Sequence, residues 1–341
     1  MTTLLFPATP GVQVHASTLL PLSGGGVLAA WFAGPHEGHP DTRIQVLRRS
    51  GTDETIVDIL PGDSQPHWNP VLTWGPDGAA WLFFKRGPRI DEWTTWVAIS
   101  PDEGLTWHEP FELVPGDRSG GRGPVRQAPL HVGLTWLAAG SVEEWSMPRW
   151  DCFVDLSTDD GDSWRRVLVP LDHDATAGAG CIQPWVVPGR HSQLVMLTRS
   201  TAGAVFRSAT DDPADWPELR PTALPNNNSG IAVESLPDGA LVCVHNDASG
   251  DWGARSRLVV SRSDDDGLTW RQVAVLEDGT LGGADGSPTT ATATGVVTTG
   301  DGEYSYPSAV VEDDELWVTY SWQRRSIALA RLPLSALAHG L

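Results

Sequence analysis

The 341-residue chain is poor in several residue types at once, and each shortage excludes something. Three cysteines, at 152, 181 and 243, are too few for a disulfide framework, and none has the spacing of a metal-ligand set. Basic residues are scarce: 23 Lys+Arg face 43 Asp+Glu, a formal charge of −20. Such a field repels a nucleic-acid backbone or an anionic membrane, so neither is expected as a partner. A local cluster of arginines can still hold a small anion, because salt screens the distant charge. No apolar run approaches the length of a membrane span. The start, MTTLLFPATPGVQ, has no basic segment leading into an apolar core. It does not read as a signal peptide, and a cytoplasmic location is the expectation. Sustained helical periodicity is missing too, so almost no helix is expected.

What the chain does have is repetition. The phrase SPDEGLTW (100–107) returns as STDDGDSW (157–164) and SDDDGLTW (263–270), with a degenerate copy ATDDPADW (209–216) between them. The closing tryptophans fall at 107, 164, 216 and 270, steps of 57, 52 and 54. A fixed period of this size signals a repeat architecture. Within each period lie short apolar runs such as VLAAWFAG, AAWLFFKRG, TTWVAIS, ALVCVHN and ELWVTYSW, bounded by Gly, Pro, Asn and Asp. These read as antiparallel strands joined by turns. Four strands per period make a propeller blade, and the chain length divided by the period gives six. The expectation is an all-β fold, a six-bladed β-propeller forming one domain over 1–341. The repeated phrase is then a turn staple: Asp and Ser bond the turn backbone, Gly supplies positive φ, and Trp covers the hairpin. It lacks the carboxylate density and closing Glu of a calcium loop.

A propeller brings the starts of its inner strands together at the axis. The polar residues at that phase are therefore the candidates: His15, Glu37, Asp41, Asn69, Lys85, Arg126, Glu143 or Glu144, Gln183, Arg199, Asn228, Asn246, Arg255, Glu303, Tyr304, Tyr306 and Arg324. The ten His show no metal-binding pair, so no metal or other cofactor is expected. Of 17 Trp, more than hairpin staples require, some are expected to line a cleft where an indole face suits a sugar ring. Only three Tyr occur, and two lie in EYSYP (303–307).

The Ser-x-Asp-x-Gly-x-Thr-Trp boxes in a six-blade count resemble the Asp-box (BNR) proteins, whose best-known members are sialidases. WNPVLTWGPDGAAWLFFKRG and YSYPSAVVEDDELWVTYSW are similar to sialidase segments in order, while VHAST, PNNNSG and EYSYP resemble a bacterial group of predicted neuraminidases. The resemblance implies a retaining hydrolase with a glycosyl-tyrosine intermediate. Tyr304, before Ser305, would be the nucleophile, Glu143 or Glu144 its base, and Asp41 in the first-blade loop the acid/base. Arg255 would bind the sugar carboxylate. Val-His-Ala stands where sialidases have Arg-Ile-Pro, so His15 replaces the first carboxylate-binding arginine. An imidazole grips a carboxylate less well than a guanidinium fork, which argues against sialic acid itself.

Three functions follow. The first is an exo-glycosidase acting on a terminal anionic or deoxy sugar, with His15, Arg199, Arg255 and Arg324 contacting the ring. The second is a lyase cleaving uronate linkages by elimination through His15 and Tyr304. The third is a carbohydrate-binding propeller without catalysis. The expected partner is a small carbohydrate or another small-molecule ligand.

Overall fold

The computed structural model describes residues 2–191, 194–279 and 283–338. Among these, six four-stranded antiparallel sheets form a six-bladed propeller. The first five blades follow the chain. Blade one is β2 (Gln13–Pro21), β3 (Val27–Gly34), β4 (Arg43–Ser50) and β5 (Asp53–Ile59). Blade two is β6 (His67–Trp74), β7 (Ala80–Arg86), β8 (Thr94–Ser100) and β9 (Phe111–Glu112). Blade three is β10 (Leu130–Val132), β11 (Thr135–Glu144), β12 (Arg149–Ser157) and β13 (Arg165–Leu168). Blade four is β14 (Cys181–Pro188), β15 (Leu194–Ser200), β16 (Ala204–Thr210) and β17 (Arg220–Pro225). Blade five is β18 (Ala232–Ser235), β19 (Leu241–Asn246), β20 (Arg257–Ser263) and β21 (Arg271–Asp278).

Blade six closes the ring. Its β24 (Tyr304–Glu312), β25 (Glu315–Trp322) and β26 (Ser326–Pro333) take their fourth strand from the chain start, where β1 (Thr2–Leu4) pairs Thr2 with Ala330 and Leu4 with Ala328. Because the chain runs from β1 directly into β2, this shared sheet ties the last blade to the first. Helix is confined to a 3₁₀ turn at Ile90–Glu92 and one turn of α-helix at Leu334–Leu337 among the described residues.

The blades adhere through apolar faces. Phe32 and Leu28 of blade one pack with Phe84 and Leu82 of blade two, all 2 % exposed or less. Burial of such side chains is the main force holding sheet to sheet. The repeated boxes span the turn from third to fourth strand. In the last one Asp265 accepts from Thr269 N (2.8 Å), Thr269 Oγ1 (2.6 Å) and Ser263 Oγ (2.8 Å), and Ser263 Oγ accepts from Gly267 N (2.8 Å). Trp270 Nε1 donates to Gly267 O at 3.0 Å. In the degenerate copy Trp216 makes the same closure onto Pro213 O.

An irregularity recurs at the inner edge of five blades, within the first strand in four of them and in the segment before β18 in the fifth. Ala16, Asn69, Gln183, Asn228 and Tyr306 all have positive φ, between 43° and 57°. In four of the strands the ladder slips there: between His15 and Thr18, Trp68 and Val71, Ile182 and Trp185, and Ser305 and Ser308. A bulge of this kind breaks the two-residue alternation and re-aims a side chain. A left-handed conformation is unfavourable for a non-glycine residue, most of all a bulky one such as Tyr306. Repeated at one phase, it brings Asn69, Gln183, Asn228 and Tyr306 to the axis, while Ala16 packs into the apolar cluster between blades one and two.

Candidate active site at the propeller axis

Tyr306 is the hub. Its phenol oxygen accepts a hydrogen bond from Arg199 Nη1. The guanidinium carbons of Arg126, Arg199 and Arg255 lie 5.3, 5.5 and 5.6 Å from its ring centre, and the His15 ring lies 4.2 Å away. Arg199 is fully engaged: it donates to Gln183 Oε1 (3.1 Å), Asn228 Oδ1 (3.0 and 2.6 Å) and Asn228 O (2.5 Å). The planar fork matches that ring of acceptors.

Arg324 and Arg255 share Glu303, which is fully buried. Arg324 Nε donates to Glu303 Oε2 at 2.9 Å, and Arg255 Nη1 and Ser305 Oγ donate to Oε1 at 3.0 and 2.6 Å. Burial alone pushes the Glu303 carboxyl up, but Arg324 and Arg255 outweigh it and hold it at about 2. Arg324 also donates to Glu37 Oε2 at 2.6 Å and meets His15 Nε2 at 3.3 Å. A guanidinium offers only donors, so His15 Nε2 carries the lone pair and Nδ1 the proton. Burial, then the charges of Arg324, Arg255, Arg126 and Arg199, keep this imidazole neutral.

Above Tyr306 lies a narrow cavity of about 30 Å³, lined by Glu37, Asn69, Glu143, Gln183 and Arg199. Four indoles, Trp68, Trp93, Trp145 and Trp252, complete its walls. Burial pushes Glu143 up to about 7 against the opposing pull of Arg199. An unforeseen hairpin, β22 (Thr290–Thr292) and β23 (Gly295–Val297), roofs one side, with Val296 reaching the cavity. It sits so close to the first-blade loop that a Cβ on Gly38 would fall 1.9 Å from Thr294 O, and one on Gly295 2.5 Å from Glu37 O.

Several expected site residues lie elsewhere. Asp41 has a side chain 76 % exposed and pairs with His39 at 3.6 Å; the first-blade carboxylate at the cavity is Glu37. Tyr304 points the other way from Tyr306: its ring packs beside Trp322 in the core under blades four to six, and its hydroxyl accepts from Gln323 Nε2 at 3.3 Å. The bulge between Ser305 and Ser308 places the two tyrosines on different faces. Glu144 is exposed and bonds Ser146, leaving Glu143 as the inward carboxylate. Lys85 is buried against Thr95 Oγ1 (2.8 Å) and Arg122 O (2.7 Å), away from the cavity lining. Asn246 uses its amide to bridge the backbone oxygens of Arg255, Arg257 and Tyr304. Arg126 reaches the axis but spends its Nη2 on backbone carbonyls. Of the tryptophans, the sequence pointed to a lined cleft without saying which would line it.

The axis therefore gathers four arginines (126, 199, 255 and 324) against Glu37, Glu303 and the half-neutral Glu143, a net positive centre inside a strongly acidic chain. A profile of the BNR repeat-like domain matches residues 25–318. The chain belongs to the BNR repeat-like family. Among solved structures, this BNR repeat-like propeller is similar to a Dyadobacter fermentans protein of unknown function, at 14 % identity and a TM-score of 0.71 over 97 % of this chain and 99 % of that one. It is also similar to the NanB sialidase of Streptococcus pneumoniae (11 % identity, TM-score 0.69, 98 % of this chain and 71 % of that one). A Trypanosoma rangeli sialidase solved with sialic acid gives 12 % identity and a TM-score of 0.67, over 96 % of this chain and 58 % of that one. These likenesses establish the sialidase-type six-bladed fold. No curated protein sequence matches the chain.

Proposed function

We propose that this BNR repeat-like protein is a sialidase-type glycoside hydrolase that takes a terminal anionic sugar into the axial cavity, with Tyr306 as nucleophile. The observation that carries the reading is the phenol of Tyr306, bonded to Arg199 and ringed by guanidinium groups beneath a cavity walled by indoles and two carboxylates. A phenol is a poor nucleophile at neutral pH unless its proton is removed and the developing charge is stabilised. Glu143, held near 7, is suited to take and return that proton. Arg199 supplies the stabilising donor, and Glu37 replaces Asp41 as the acid/base at the cavity mouth. Indole faces favour a pyranose ring, and the positive centre favours one carrying a carboxylate.

A cavity of about 30 Å³ has room for a few waters and not for a pyranose ring, so sugar entry calls for the half-buried rim indoles Trp145 and Trp252 to turn outward. Elimination through His15 gains no support: its lone pair faces Arg324, and its other nitrogen already holds the proton.

Hydrolysis of a panel of aryl glycosides and uronides, sialosides included, tests the proposal with Tyr306→Phe, Tyr304→Phe, Glu37→Gln and Asp41→Asn. Loss of turnover in Tyr306→Phe and Glu37→Gln, with Tyr304→Phe and Asp41→Asn within a few-fold of wild type, is expected. Undiminished turnover in Tyr306→Phe removes the tyrosine from the mechanism. Saturable quenching of indole fluorescence by a sugar with no product formed makes the propeller a binding module.

A further inference from the structure

Among the described residues Arg126 has no counter-charge. It comes from the segment preceding β10, is 1 % exposed, and crosses the axis to the opposite side of the ring. Its Nη2 reaches Ser17 O (3.1 Å) in blade one, and Tyr306 O (3.3 Å) and Pro307 O (3.1 Å) in blade six. Its Nε and Nη1 have no partner, which leaves three of the five guanidinium N–H donors without an acceptor. Ser17, in contact with the same guanidinium through its carbonyl, is fully buried, and its hydroxyl is likewise unpartnered.

The other axial arginines are provided for. Arg255 and Arg324 are neutralised by Glu303, and Arg324 by Glu37 as well. Arg199 is saturated by amide, carbonyl and phenol oxygens, with Glu143 as the acidic group acting on it. Among the described residues no carboxylate forms an ion pair with Arg126, and its hydrogen bonds there all go to carbonyl oxygens. Buried charges are paired or coordinated, and buried polar groups are hydrogen-bonded. A guanidinium and a hydroxyl, both buried, both donors and both unsatisfied, ask for one acceptor that carries negative charge. Burial, with the like charge of Arg199 acting in the same direction, already pulls Arg126 down to about 10.

We propose that Arg126 and Ser17 form an internal site for a small inorganic monoanion of the halide class, on the propeller axis beneath Tyr306. The site is separate from the cavity above the phenol, and it stands whether or not that cavity hydrolyses a sugar. Its ligand locks blades one, three and six together, since those blades supply the residues that meet there. A water molecule is the rival occupant: it accepts from the same donors but brings no charge.

Bromide separates the two. Crystals of the full chain grown in sodium bromide, with data collected at the bromine edge, are expected to show an anomalous peak within hydrogen-bonding reach of Arg126 Nε or Nη1 and Ser17 Oγ. In solution, melting temperature is expected to rise saturably with chloride or bromide against sodium gluconate at equal ionic strength. Ser17→Ala, which removes one neutral donor and no charge, is expected to weaken the apparent halide affinity about three- to tenfold. Arg126→Met, if it folds, is expected to abolish the halide response. Density at the site without anomalous signal, or melting indifferent to halide in the wild type, overturns the proposal; so does bromide found only at the surface.

Discussion

Glu303 is the keystone of the arginine cluster, and Glu303→Gln isolates its contribution. The substitution keeps the side chain's volume and one accepting oxygen while removing the charge facing Arg255 (3.0 Å) and Arg324 (2.9 Å). The carboxyl's fall from its ordinary 4.5 to about 2, at 1.36 kcal/mol per pH unit, corresponds to about 3 kcal/mol of folding stability. That figure agrees with the roughly 3–5 kcal/mol usually lost when one partner of a buried ion pair is removed. The sign follows from the direction: a depressed carboxyl stabilises the fold fully above pH 4.5, and the contribution drains away as pH falls toward 2. Urea unfolding of wild type and Glu303→Gln between pH 7 and pH 3 checks this, since every other titrating carboxylate is common to both proteins. The variant is expected to be about 3 kcal/mol less stable at pH 7, with a gap that is flat down to pH 5 and narrows below 4.5. A gap below about 0.5 kcal/mol at pH 7, within the range of ordinary surface substitutions, refutes the ion-pair account. So does a gap that does not change with pH.

Glu143 runs the opposite way. Raised by burial from 4.5 to about 7, it favours the fold fully below 4.5, and that contribution is lost as pH rises from 4.5 to 7 and changes no further above, so Glu143→Gln should gain stability relative to wild type between pH 5 and pH 7 and level off beyond it in parallel melts. If Glu143 serves Tyr306 as base, kcat/KM on the best aryl glycoside should rise with pH through a midpoint near 7, and Glu143→Gln should lose that limb along with most of the activity. The boxes should behave as pure architecture: Asp265→Ala removes three hydrogen bonds from the turn after β20 and should cost about 1–3 kcal/mol in urea unfolding, while sugar affinity of the folded protein stays put.

The architecture was written plainly because it is periodic. Four box tryptophans at near-equal spacing and strand-length apolar runs between turn residues both report the same thing, the twenty-odd short strands that six sheets need. Which side chain faces the axis does not follow from the box period, and it escaped in three places for three reasons. Strand alternation puts Tyr304 and Tyr306 on one face, and only the extra residue in the ladder after Ser305 parts them. The loop 35–42 offers Glu37 and Asp41 alike, and the choice is made by an element far along the chain: the hairpin at 290–297 presses on Gly38 and holds Glu37 inward, while Asp41 stays in solvent. Glu143 and Glu144 are adjacent in one strand, so one must face in and the other out, and nothing local says which.

A signal for the bulge was nevertheless present. Asn69-Pro70, Gln183-Pro184 and Tyr306-Pro307 repeat a residue-then-proline pair at the same place in three inner strands. Proline cannot donate to a sheet ladder, so each pair marks a point where pairing lapses, and each preceding residue is one of the five with positive φ. Read that way, the repeat selects Tyr306 over Tyr304 without coordinates: the tyrosine before proline stands in register with Asn69 and Gln183, which line the same cavity. The strain at Asn69, Gln183, Asn228 and Tyr306 is thus not a defect of the propeller but the device that turns residues of four blades into one convergent site.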